Sequence, residues 1–425
     1  MPPIRFIHAA DLHLDAAFSG LSRDIPADFA ERLRTATFTA FRRLLDLCER
    51  ESPDFLLLAG DVYNQEDASV SAQLALRDGF RRLESLSIPV FLVHGNHDPL
   101  ASRLRSVRWP GNVTVFGELP DAVPVFRKGE GTPLAIIHGA SHASGRETRN
   151  LAALFRRTEA YGLHVGLLHA TPGDADGVAR YAPFSQEDLK ASGMDYWALG
   201  HIHDRREVCR EPLAAYPGCT QGLHINEPGE KGCLLVTAEA RPDGGYAVRT
   251  SFRPLGPAVW KTLDMDLGGA ASLDELENRL RTGLDRAAAE VWSGCEMLLV
   301  RLRLQGRTEL DGLLRKGTTC AELADRLRED GNGVPRIWIK DIDVATRPCV
   351  ERGALLERED LLGEVFRLSE AARTASGLQA LREGPLAPLF AHARAGKALE
   401  PLTDEELARL LDDAESLCLD LLEND

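Results

Sequence analysis

Short clusters of histidine, aspartate and asparagine recur in the first half of the chain, each directly after an apolar run that predicts a β-strand. In chain order the clusters are Asp11-Leu12-His13, Gly60-Asp61, Gly95-Asn96-His97-Asp98, His169 and Gly200-His201-Ile202-His203. Because the carboxyl ends of strands in an open α/β sheet border one crevice, we expect these side chains to meet. Imidazole, carboxylate and amide groups in this number predict a site for two divalent metal ions.

The spacing within the clusters also suits metal binding. In the Asp-x-His pair the two side chains are two residues apart, so at the end of a strand both project from one face and the carboxylate and imidazole can bind the same ion. The His-x-His pair repeats that spacing. A single carboxylate such as that of Asp61 can bridge two ions, and Asn96 supplies a neutral oxygen. Mixed nitrogen and oxygen ligands without thiolates favour manganese, iron or zinc over calcium, with water completing the coordination.

The elements that position these clusters alternate between strands and helices over the first 255 residues. Strands are predicted at 4–10, 55–59, 90–94, 134–138, 165–169 and 196–200, and helices at 29–49, 70–86, 147–160 and 186–192. After residue 205 the predicted helices stop, and strands follow at 214–216, 232–236 and 247–252. This order predicts an α/β layered domain that ends in β-structure.

Two further segments follow a plausible linker at Gly256-Pro257. Residues 258–350 read as β-α-β-α-β, which predicts a small two-layer α+β domain. Residues 351–425 carry only helical signals, and Thr403-Asp404-Glu405-Glu406 resembles a capping box at the start of the last helix. The sequence therefore predicts three parts: residues 1–255, residues 258–350 and a helical tail at 351–425.

Composition places the chain among folded globular proteins. It has 425 residues, 44% hydrophobic and 27% charged, without the roughly 20 consecutive apolar residues that a membrane span needs. No secretory signal pattern opens the sequence, so we expect a cytoplasmic protein with no membrane association. Its eight cysteines include no Cys-x-x-Cys pair and predict neither a disulfide framework nor a zinc site.

The net charge of −15 is concentrated in the tail, where residues 351–425 have 8 basic against 17 acidic side chains. The tail would repel nucleic acid and favours a protein partner or simple solubility. The rest of the chain is nearly balanced in charge. Net charge therefore does not exclude DNA as a ligand.

In type and order, the five clusters resemble the signature motifs of the calcineurin-like metallophosphoesterase superfamily. Within it, the chain is similar to the SbcD-type DNA double-strand-break repair nucleases, and most of all to the bacterial YhaO-like branch, in residues 6–15 and in the blocks 216–218 and 222–232. The match covers about residues 4–255. It implies the α/β fold class, with a four-layer β-sandwich flanked by helices, a small α+β capping domain that contacts DNA, and a helical C-terminal tail.

The resemblance also implies roles for individual residues. One metal ion would be bound by Asp11, His13, Asp61 and His203, and the other by Asp61, Asn96, His169 and His201. The two divalent ions are expected to be manganese, with iron, zinc or magnesium as alternatives. His97 is not needed as a ligand and is the expected catalytic residue, since it could protonate the leaving 3′ oxygen.

Candidate substrate contacts lie close to these motifs. Arg103 and Arg105 follow the third cluster and could track a phosphate backbone. His142 lies near a strand end and could face the crevice. Nucleases of this type often have a histidine three positions after the bridging aspartate, where this chain has Asn64. An asparagine can hydrogen-bond a phosphate but cannot titrate, so this substitution puts a conventional exonuclease geometry in doubt.

The expected function is metal-dependent exonuclease and endonuclease activity on DNA in double-strand-break repair. By resemblance, such nucleases form homodimers and work with an SMC-like coiled-coil ATPase, for which the apolar stripe at 407–421 is a candidate docking surface. One alternative is a phosphodiesterase or phosphatase for small nucleotides or phosphoproteins. Another is a non-catalytic protein-binding scaffold, but that reading predicts eroded ligand positions, and all seven are present.

Overall fold

The computed structural model describes residues 2–21, 25–64, 69–102, 107–127, 129–173, 180–242, 244–329, 333–349, 352–391 and 402–422. Its first sheet contains β1 (Ile4–Ala9), β2 (Phe55–Ala59), β3 (Val90–Val93), β4 (Val113–Val115), β11 (Gly232–Ala240) and β12 (Tyr246–Pro254). The strand order is β12-β11-β1-β2-β3-β4. β1 to β4 run parallel, whereas β11 is antiparallel to both β1 and β12.

The second sheet also has six strands. They are β5 (Asp121–Val125), β6 (Ala135–Ala140), β7 (Leu163–His169), β8 (Tyr196–Gly200), β9 (Arg206–Arg210) and β10 (Leu213–Tyr216), in the order β5-β6-β7-β8-β10-β9. β6, β7, β8 and β10 are parallel, and β5 and β9 pair antiparallel at the two edges. In each sheet the central parallel strands therefore have their carboxyl ends on the same side. The sequence clusters lie at these carboxyl ends.

The two sheets pack face to face around an apolar core. Alternate residues of β2, such as Phe55 and Leu57, join Val165 and Tyr196 of the second sheet in this core. The intervening Leu56 faces the helices outside the first sheet. Strands buried on both faces explain the continuous apolar runs in the sequence. This arrangement confirms the predicted α/β sandwich with helices on its outer faces.

The outer layers are formed by α1 (Ala27–Arg34), α2 (Ala36–Glu51), α3 (Val70–Ser85) and α4 (Gln186–Ala191). The predicted helix at 147–160 is wrong, because its only helical piece is a single 3₁₀ turn at Ala152–Leu154. Leu151, Ala152 and Phe155 are nevertheless buried in a cluster on the outer face of the second sheet. Their helical spacing reflects burial beneath a loop, which periodicity alone cannot distinguish from a helix.

A third sheet has the order β13 (Ala258–Asp266), β14 (Met297–Thr308), β15 (Arg336–Pro348). It alternates with α5 (Leu273–Glu290), α6 (Asp311–Leu314) and α7 (Thr319–Glu329), which confirms the predicted β-α-β-α-β order. Contacts divide the chain into one unit of residues 1–263, 281–302 and 323–342 and another of residues 264–280, 303–322 and 343–425. In the first unit, Phe29 of α1 packs with Trp260 and Trp338.

The second unit contains the tail helices α8 (Arg352–Leu356), α9 (Leu361–Ala372), α10 (Ala375–Glu383), α11 (Ala387–Ala391) and α12 (Asp404–Leu422). The predicted capping box is present, because the Thr403 hydroxyl accepts from the Glu406 backbone N–H while the Glu406 carboxylate accepts from the Thr403 backbone N–H. Leu362, Phe366 and Leu419 pack α9 on α12. In the part of the chain that the structure describes, no helix is both long and apolar enough to span a membrane.

Candidate metal centre

The predicted clusters lie where β1, β2, β3, β7 and β8 end, and the chain turns sharply at these points. Asp11, His13, Asp61 and His201 have positive φ angles of 52°, 41°, 49° and 106°. Such angles are rare for residues with side chains and tend to occur at functional sites, where surrounding structure holds them. The turns direct these polar groups from the strand ends into one location.

One group of side chains consists of Asp11, His13 and His203, whose possible ligand atoms all lie within 4.8 Å of one another. The Nε2 atoms of His13 and His203 face each other at 3.1 Å. His203 Nε2 is also 3.8 Å from Asp11 Oδ1. The Asp11 carboxylate is anchored by the His201 backbone N–H, which donates to its Oδ2 at 3.0 Å.

A second group consists of Asp61, His169 and His201, again with ligand atoms within 4.8 Å of one another. Asn96 belongs to it, because its Oδ1 lies 3.1 Å from His169 Nε2 and 3.1 Å from His201 Nδ1. The other ring nitrogen of His169, Nδ1, lies 2.9 Å from the Ala59 carbonyl oxygen, to which it donates. That hydrogen bond leaves Nε2 as the nitrogen available to a metal ion.

Asp61 lies between the two groups. Its Oδ2 is 3.9 Å from His13 Nε2 in the first group and 3.4 Å from His169 Nε2 in the second. Its Oδ1 accepts a hydrogen bond from the His97 backbone N–H at 3.0 Å. The structure thus brings together all seven predicted ligand residues, with the proposed bridging carboxylate in the middle.

The donor set fits a pair of divalent cations. The convergent nitrogen lone pairs, the two carboxylates and the amide oxygen are the ligand types that transition metals take. The buried Nδ1 of His13 has no hydrogen-bond partner among the described residues. Cys219 forms a further group with His203 and Glu227, with possible ligand atoms within 4.8 Å of one another, and burial raises the pKa of its thiol well above the ordinary value.

Burial has opposite effects on two members of the first group, because it keeps the His13 imidazole neutral but favours the protonated form of Asp11. Burial lowers the pKa of His13 to about 4, against an opposing effect of the Asp61 charge, so its imidazole is neutral at pH 7. Burial raises the pKa of Asp11 to about 6, while the charges of His169 and His203 partly offset the shift. Burying carboxylates and imidazoles together costs free energy. A bound cation would offset this cost by neutralising the carboxylates.

The second group is governed by charge pairing. Burial alone would lower the pKa of His169, but the charge and hydrogen bond of Asp61, with help from Asp11, raise it to about 9. The pKa of Asp61 is held well below its ordinary value, because the His169 and His13 interactions outweigh the effect of burial. A metal ion would take the place of the shared proton between these residues.

Sequence reasoning assigned no role to Glu227, which supports the first group. His203 Nδ1 donates to Glu227 Oε1 at 2.5 Å, which leaves His203 Nε2 facing His13. The Leu223 backbone N–H donates to the other carboxylate oxygen at 2.7 Å. Burial would raise the pKa of Glu227, but the hydrogen bond and charge of His203 lower it to about 2. The only available signal was its position within the block 222–232.

Asp98 holds two strand ends together. Its side chain is fully buried, and its oxygens accept from the Gly95 backbone N–H at 2.8 Å and the Val62 backbone N–H at 3.0 Å. These contacts fix the segments that carry Asn96 and Asp61. Asp98 therefore positions the two loops through its hydrogen bonds to their backbone.

His97 is exposed at the mouth of the cluster. Its ring lies edge-on to that of His13, with 5.0 Å between centroids. Its Nδ1 donates to the Asn64 carbonyl oxygen at 2.9 Å, which leaves Nε2 free of that contact. The half-buried Asn64 thus positions His97 through its backbone carbonyl, while the expected contact of its side chain with substrate stays a prediction.

The remaining predicted substrate contacts are His142, Arg103 and Arg105. His142 is fully buried, and its Nε2 donates to the His169 carbonyl oxygen at 2.6 Å. The expectation that His142 touches substrate is therefore wrong, because the residue packs beneath His169. Arg103 and Arg105 lie outside the described residues.

Comparison with known proteins gives two family matches along the chain. Residues 4–205 match the calcineurin-like phosphoesterase family, and residues 260–347 match the middle domain of metallophosphoesterase YhaO. The first match covers most of the residues that form the two sheets and all seven predicted ligands. The second covers the third sheet and its helices.

The chain is similar to two named relatives over most of its length. It is 34% identical to the uncharacterized metallophosphoesterase YhaO of Bacillus subtilis over 388 residues, which cover 90% of this chain and 91% of that protein. It is 27% identical to the DNA double-strand break repair protein Mre11 of Aeropyrum pernix over 319 residues, which cover 68% of this chain and 69% of that protein. The chain therefore belongs to the calcineurin-like metallophosphoesterases, a family of metal-dependent phosphoesterases.

Proposed function

We propose that this chain is a two-metal phosphodiesterase that cleaves DNA as an exonuclease and endonuclease in double-strand-break repair. The observation that carries the proposal is the placement of Asp61, whose Oδ2 lies 3.9 Å and 3.4 Å from imidazole nitrogens of two separate ligand groups. A carboxylate in that position can serve two ions at once. Similarity to the Mre11 relative supports DNA as the substrate.

In this proposal Asp11, His13, Asp61 and His203 hold one ion, and Asp61, Asn96, His169 and His201 hold the other. Two divalent ions, with manganese as the proposed metal, would lower the pKa of a water nucleophile and neutralise charge on the phosphate. The protein residues contribute fixed ligand positions. Glu227 and the Ala59 carbonyl orient the rings of His203 and His169.

His97 is the proposed general acid. Because Nδ1 is held by the Asn64 carbonyl, Nε2 of the same ring is the atom that can carry a proton to the leaving 3′ oxygen. The exposed ring can reach a substrate, whereas His13 beside it is buried. In this arrangement Asn64 orients the ring and donates no proton itself.

A nuclease assay tests the proposed function. End-labelled single-stranded and double-stranded DNA would be incubated with the protein and Mn²⁺ or a chelator, with a cyclic dinucleotide and a phosphopeptide as parallel substrates. We expect manganese-dependent cleavage of DNA in the wild type and none in Asp61→Asn. Cleavage of the small substrates without DNA cleavage would contradict the assignment of DNA and favour a small-molecule phosphodiesterase or phosphatase.

Replacing His97 separates catalysis from metal binding. Because His97 contributes a proton and no ligand atom, His97→Ala should lower kcat by about 10²- to 10⁴-fold while bound manganese stays unchanged. Metal content after loading and dialysis, measured by mass spectrometry, provides the check. Full activity of the variant, or parallel loss of metal, would reject the role of general acid.

The proposed partner is an SMC-like coiled-coil ATPase that docks on the tail helices. Leu361 and Leu368 of α9, together with Leu410, Leu417 and Leu421 of α12, are exposed at helical spacings. They lie apart from Leu362, Phe366 and Leu419, which pack the two helices together. Co-purification of the full chain with the ATPase tests this assignment, and we expect Leu417→Glu to abolish it. The protein is also proposed to be a cytoplasmic homodimer, and sedimentation of the purified chain tests the dimer.

A further inference from the structure

A polar and aromatic groove lies beside the metal centre. It has a volume of about 260 Å³ and is lined by Arg205, Arg206, Glu207, Ala215, Tyr216, Leu234, Thr250 and Phe252. These residues come from the loop after the His201-x-His203 pair and from β9, β10, β11 and β12. The groove therefore runs between the edge strands of the two sheets.

The strand register places this groove at the same end of the sandwich as the metal ligands. On the first sheet, Phe252 pairs with Leu234, which in turn pairs with His8, three residues before Asp11. On the second sheet, Arg206 pairs with Tyr216. The Tyr216 hydroxyl donates to the carbonyl oxygen of Ala170, the residue after His169. A substrate bound at the metals can thus extend into the groove.

Two arginines that line the groove have their guanidinium groups over aromatic rings. Arg205 stacks on Phe252 with 4.1 Å from Cζ to the ring centroid, and Arg206 lies over Tyr216 at 5.6 Å. Among the described residues, neither forms a salt bridge with a carboxylate, and both are exposed. Each guanidinium therefore keeps a free face and its hydrogen-bond donors.

The backbone that carries Arg205 is fixed relative to His203. Lys231 Nζ donates to the His203 carbonyl at 3.0 Å and pairs with Asp204 Oδ1 at 3.0 Å. Gly218, with φ of 81°, packs so closely that a Cβ there would lie 2.7 Å from the His203 carbonyl oxygen and 3.1 Å from the Arg205 nitrogen. The loop thus presents Arg205 at a set position two residues from a metal ligand.

We propose that this groove binds a nucleotide unit next to the phosphodiester that is cleaved at the metal centre. A base can stack on the free face of the Arg205 guanidinium, which Phe252 supports from behind. Arg206 provides charge for the adjoining phosphate, and the exposed carboxylate of Glu207 can accept from a base amino group or a sugar hydroxyl. The inference rests on the proposed phosphodiesterase function and adds a specificity site to it.

Two chromogenic esters test the site. Thymidine 5′-(p-nitrophenyl phosphate) contains a nucleoside, whereas bis(p-nitrophenyl) phosphate does not. With Mn²⁺ we expect Arg205→Ala to lower kcat/KM for the nucleoside ester relative to the other ester by about tenfold, mainly through KM, as loss of one base-stacking contact predicts. Arg205→Lys keeps the charge but lacks the planar group and should show a similar loss of preference. Phe252→Leu, which retains an apolar side chain in the core, should show a smaller one.

The matched control is Arg210→Ala. Arg210 is an exposed arginine at the far end of β9, the strand that begins directly after Arg205, where it pairs with Leu213. Its replacement should leave the ratio of the two kcat/KM values unchanged. An unchanged ratio in Arg205→Ala, or an equal fall in Arg210→Ala, would overturn the proposed groove. Failure of the wild type to cleave either ester would instead count against the proposed function.

A binding experiment reports on the groove without catalysis. Fluorescence anisotropy of a labelled ten-residue oligothymidylate, measured with EDTA, should show weaker binding by Arg205→Ala and a salt dependence reduced by about 0.7 in log–log slope. Identical curves for the two proteins would overturn the proposal. Competition then distinguishes a free nucleotide from a nucleotide within a chain. Displacement of the labelled oligonucleotide by thymidine 5′-monophosphate indicates a site for free nucleotides. Displacement only by unlabelled oligonucleotide indicates a site for a nucleotide within a chain.

Discussion

At the scale of single residues, the orientation of His203 depends on one carboxylate. Glu227 is buried, accepts from His203 Nδ1 at 2.5 Å and is itself held by the Leu223 backbone N–H. This arrangement fixes both the tautomer and the rotation of the imidazole, so Nε2 faces Asp11 and His13. A residue that orients a ligand in this way contributes to metal affinity without touching the ion.

Glu227→Gln should therefore weaken manganese binding about 10- to 100-fold, because the amide cannot hold the imidazole as strongly as a carboxylate does. Isothermal titration of the metal-free protein with Mn²⁺ measures the change. Asp204→Asn is the matched control, since Asp204 is an exposed carboxylate that pairs with Lys231 and does not touch the His203 ring. Equal losses in the two variants would contradict the positioning role.

The sequence indicated the candidate ligand residues, which the structure brings together, but it did not indicate the residues that orient them. Asp11, His13 and Asp61 could be found because each follows an apolar strand that exposes a polar residue at its end. Glu227 lies in a loop, and its partner His203 is 24 residues away, so only the folded structure brings the two together. His142 was wrongly expected to touch substrate because a strand-end position does not specify which way a side chain points.

At the scale of the elements, the strand ends approach one another so closely that certain positions accommodate only glycine. A Cβ at Gly95 would lie 2.2 Å from Asp61 Oδ1 and 2.8 Å from His169 Nε2. A Cβ at Gly200 would lie 1.8 Å from the Ala59 carbonyl oxygen. The glycines in the motifs thus provide the room in which ligands from different strands converge.

Gly95→Ala should displace Asp61 and lower bound manganese at least tenfold, with a loss of unfolding free energy of about 1–3 kcal/mol from overpacking. Metal content and urea unfolding measure the two effects. Gly117→Ala is the control, because an added Cβ there has no neighbour within 4 Å. If Gly95→Ala binds manganese as the wild type does, the close approach of the two strand ends is not required for the site.

Apolar periodicity located the main strands but misjudged one helix. In the predicted helix at 147–160, Leu151, Ala152 and Phe155 are buried, yet the chain makes only a 3₁₀ turn there. The Asn150 side chain accepts from the Ala153 backbone N–H, which satisfies a donor locally, and the Arg156 guanidinium donates to the Ala153 carbonyl. The first of these bonds resembles a helix cap, but the backbone becomes extended at Phe155, where ψ is 136°. Periodicity contains no information about where the backbone leaves helical geometry.

At the scale of the whole molecule, local sequence patterns predict the layers but do not show how distant segments group. Alternation of strands and helices is a local property, and it gave the sandwich correctly. Contacts instead divide β13, β14 and β15 between two units, so parts of the segment after residue 258 group with the first 263 residues. That grouping arises from buried aromatic contacts such as those of Phe29 with Trp338, with 5.6 Å between ring centroids. Contacts across such sequence distances have no local signal.

The two sheets are also joined by a buried histidine. His8 on β1 is fully buried, with Nδ1 2.9 Å from the Tyr196 hydroxyl and Nε2 3.1 Å from the Leu199 carbonyl oxygen, both on β8. Burial lowers the pKa of His8 to about 3, against a smaller opposing effect of the Leu199 hydrogen bond. The folded protein therefore keeps this imidazole neutral.

This burial makes the stability of the sandwich depend on pH. The unfolded chain protonates His8 below its ordinary pKa of 6.5, whereas the folded chain resists protonation down to about pH 3. The stabilising contribution is thus complete well above pH 6.5 and is lost as the pH falls through that value, by about 2 kcal/mol in total at pH 5. His8→Gln cannot titrate, so its unfolding free energy should fall less steeply over this range. Urea unfolding of both proteins in EDTA, at half-unit pH steps, measures the difference, and parallel curves would show that His8 does not cause the acid sensitivity.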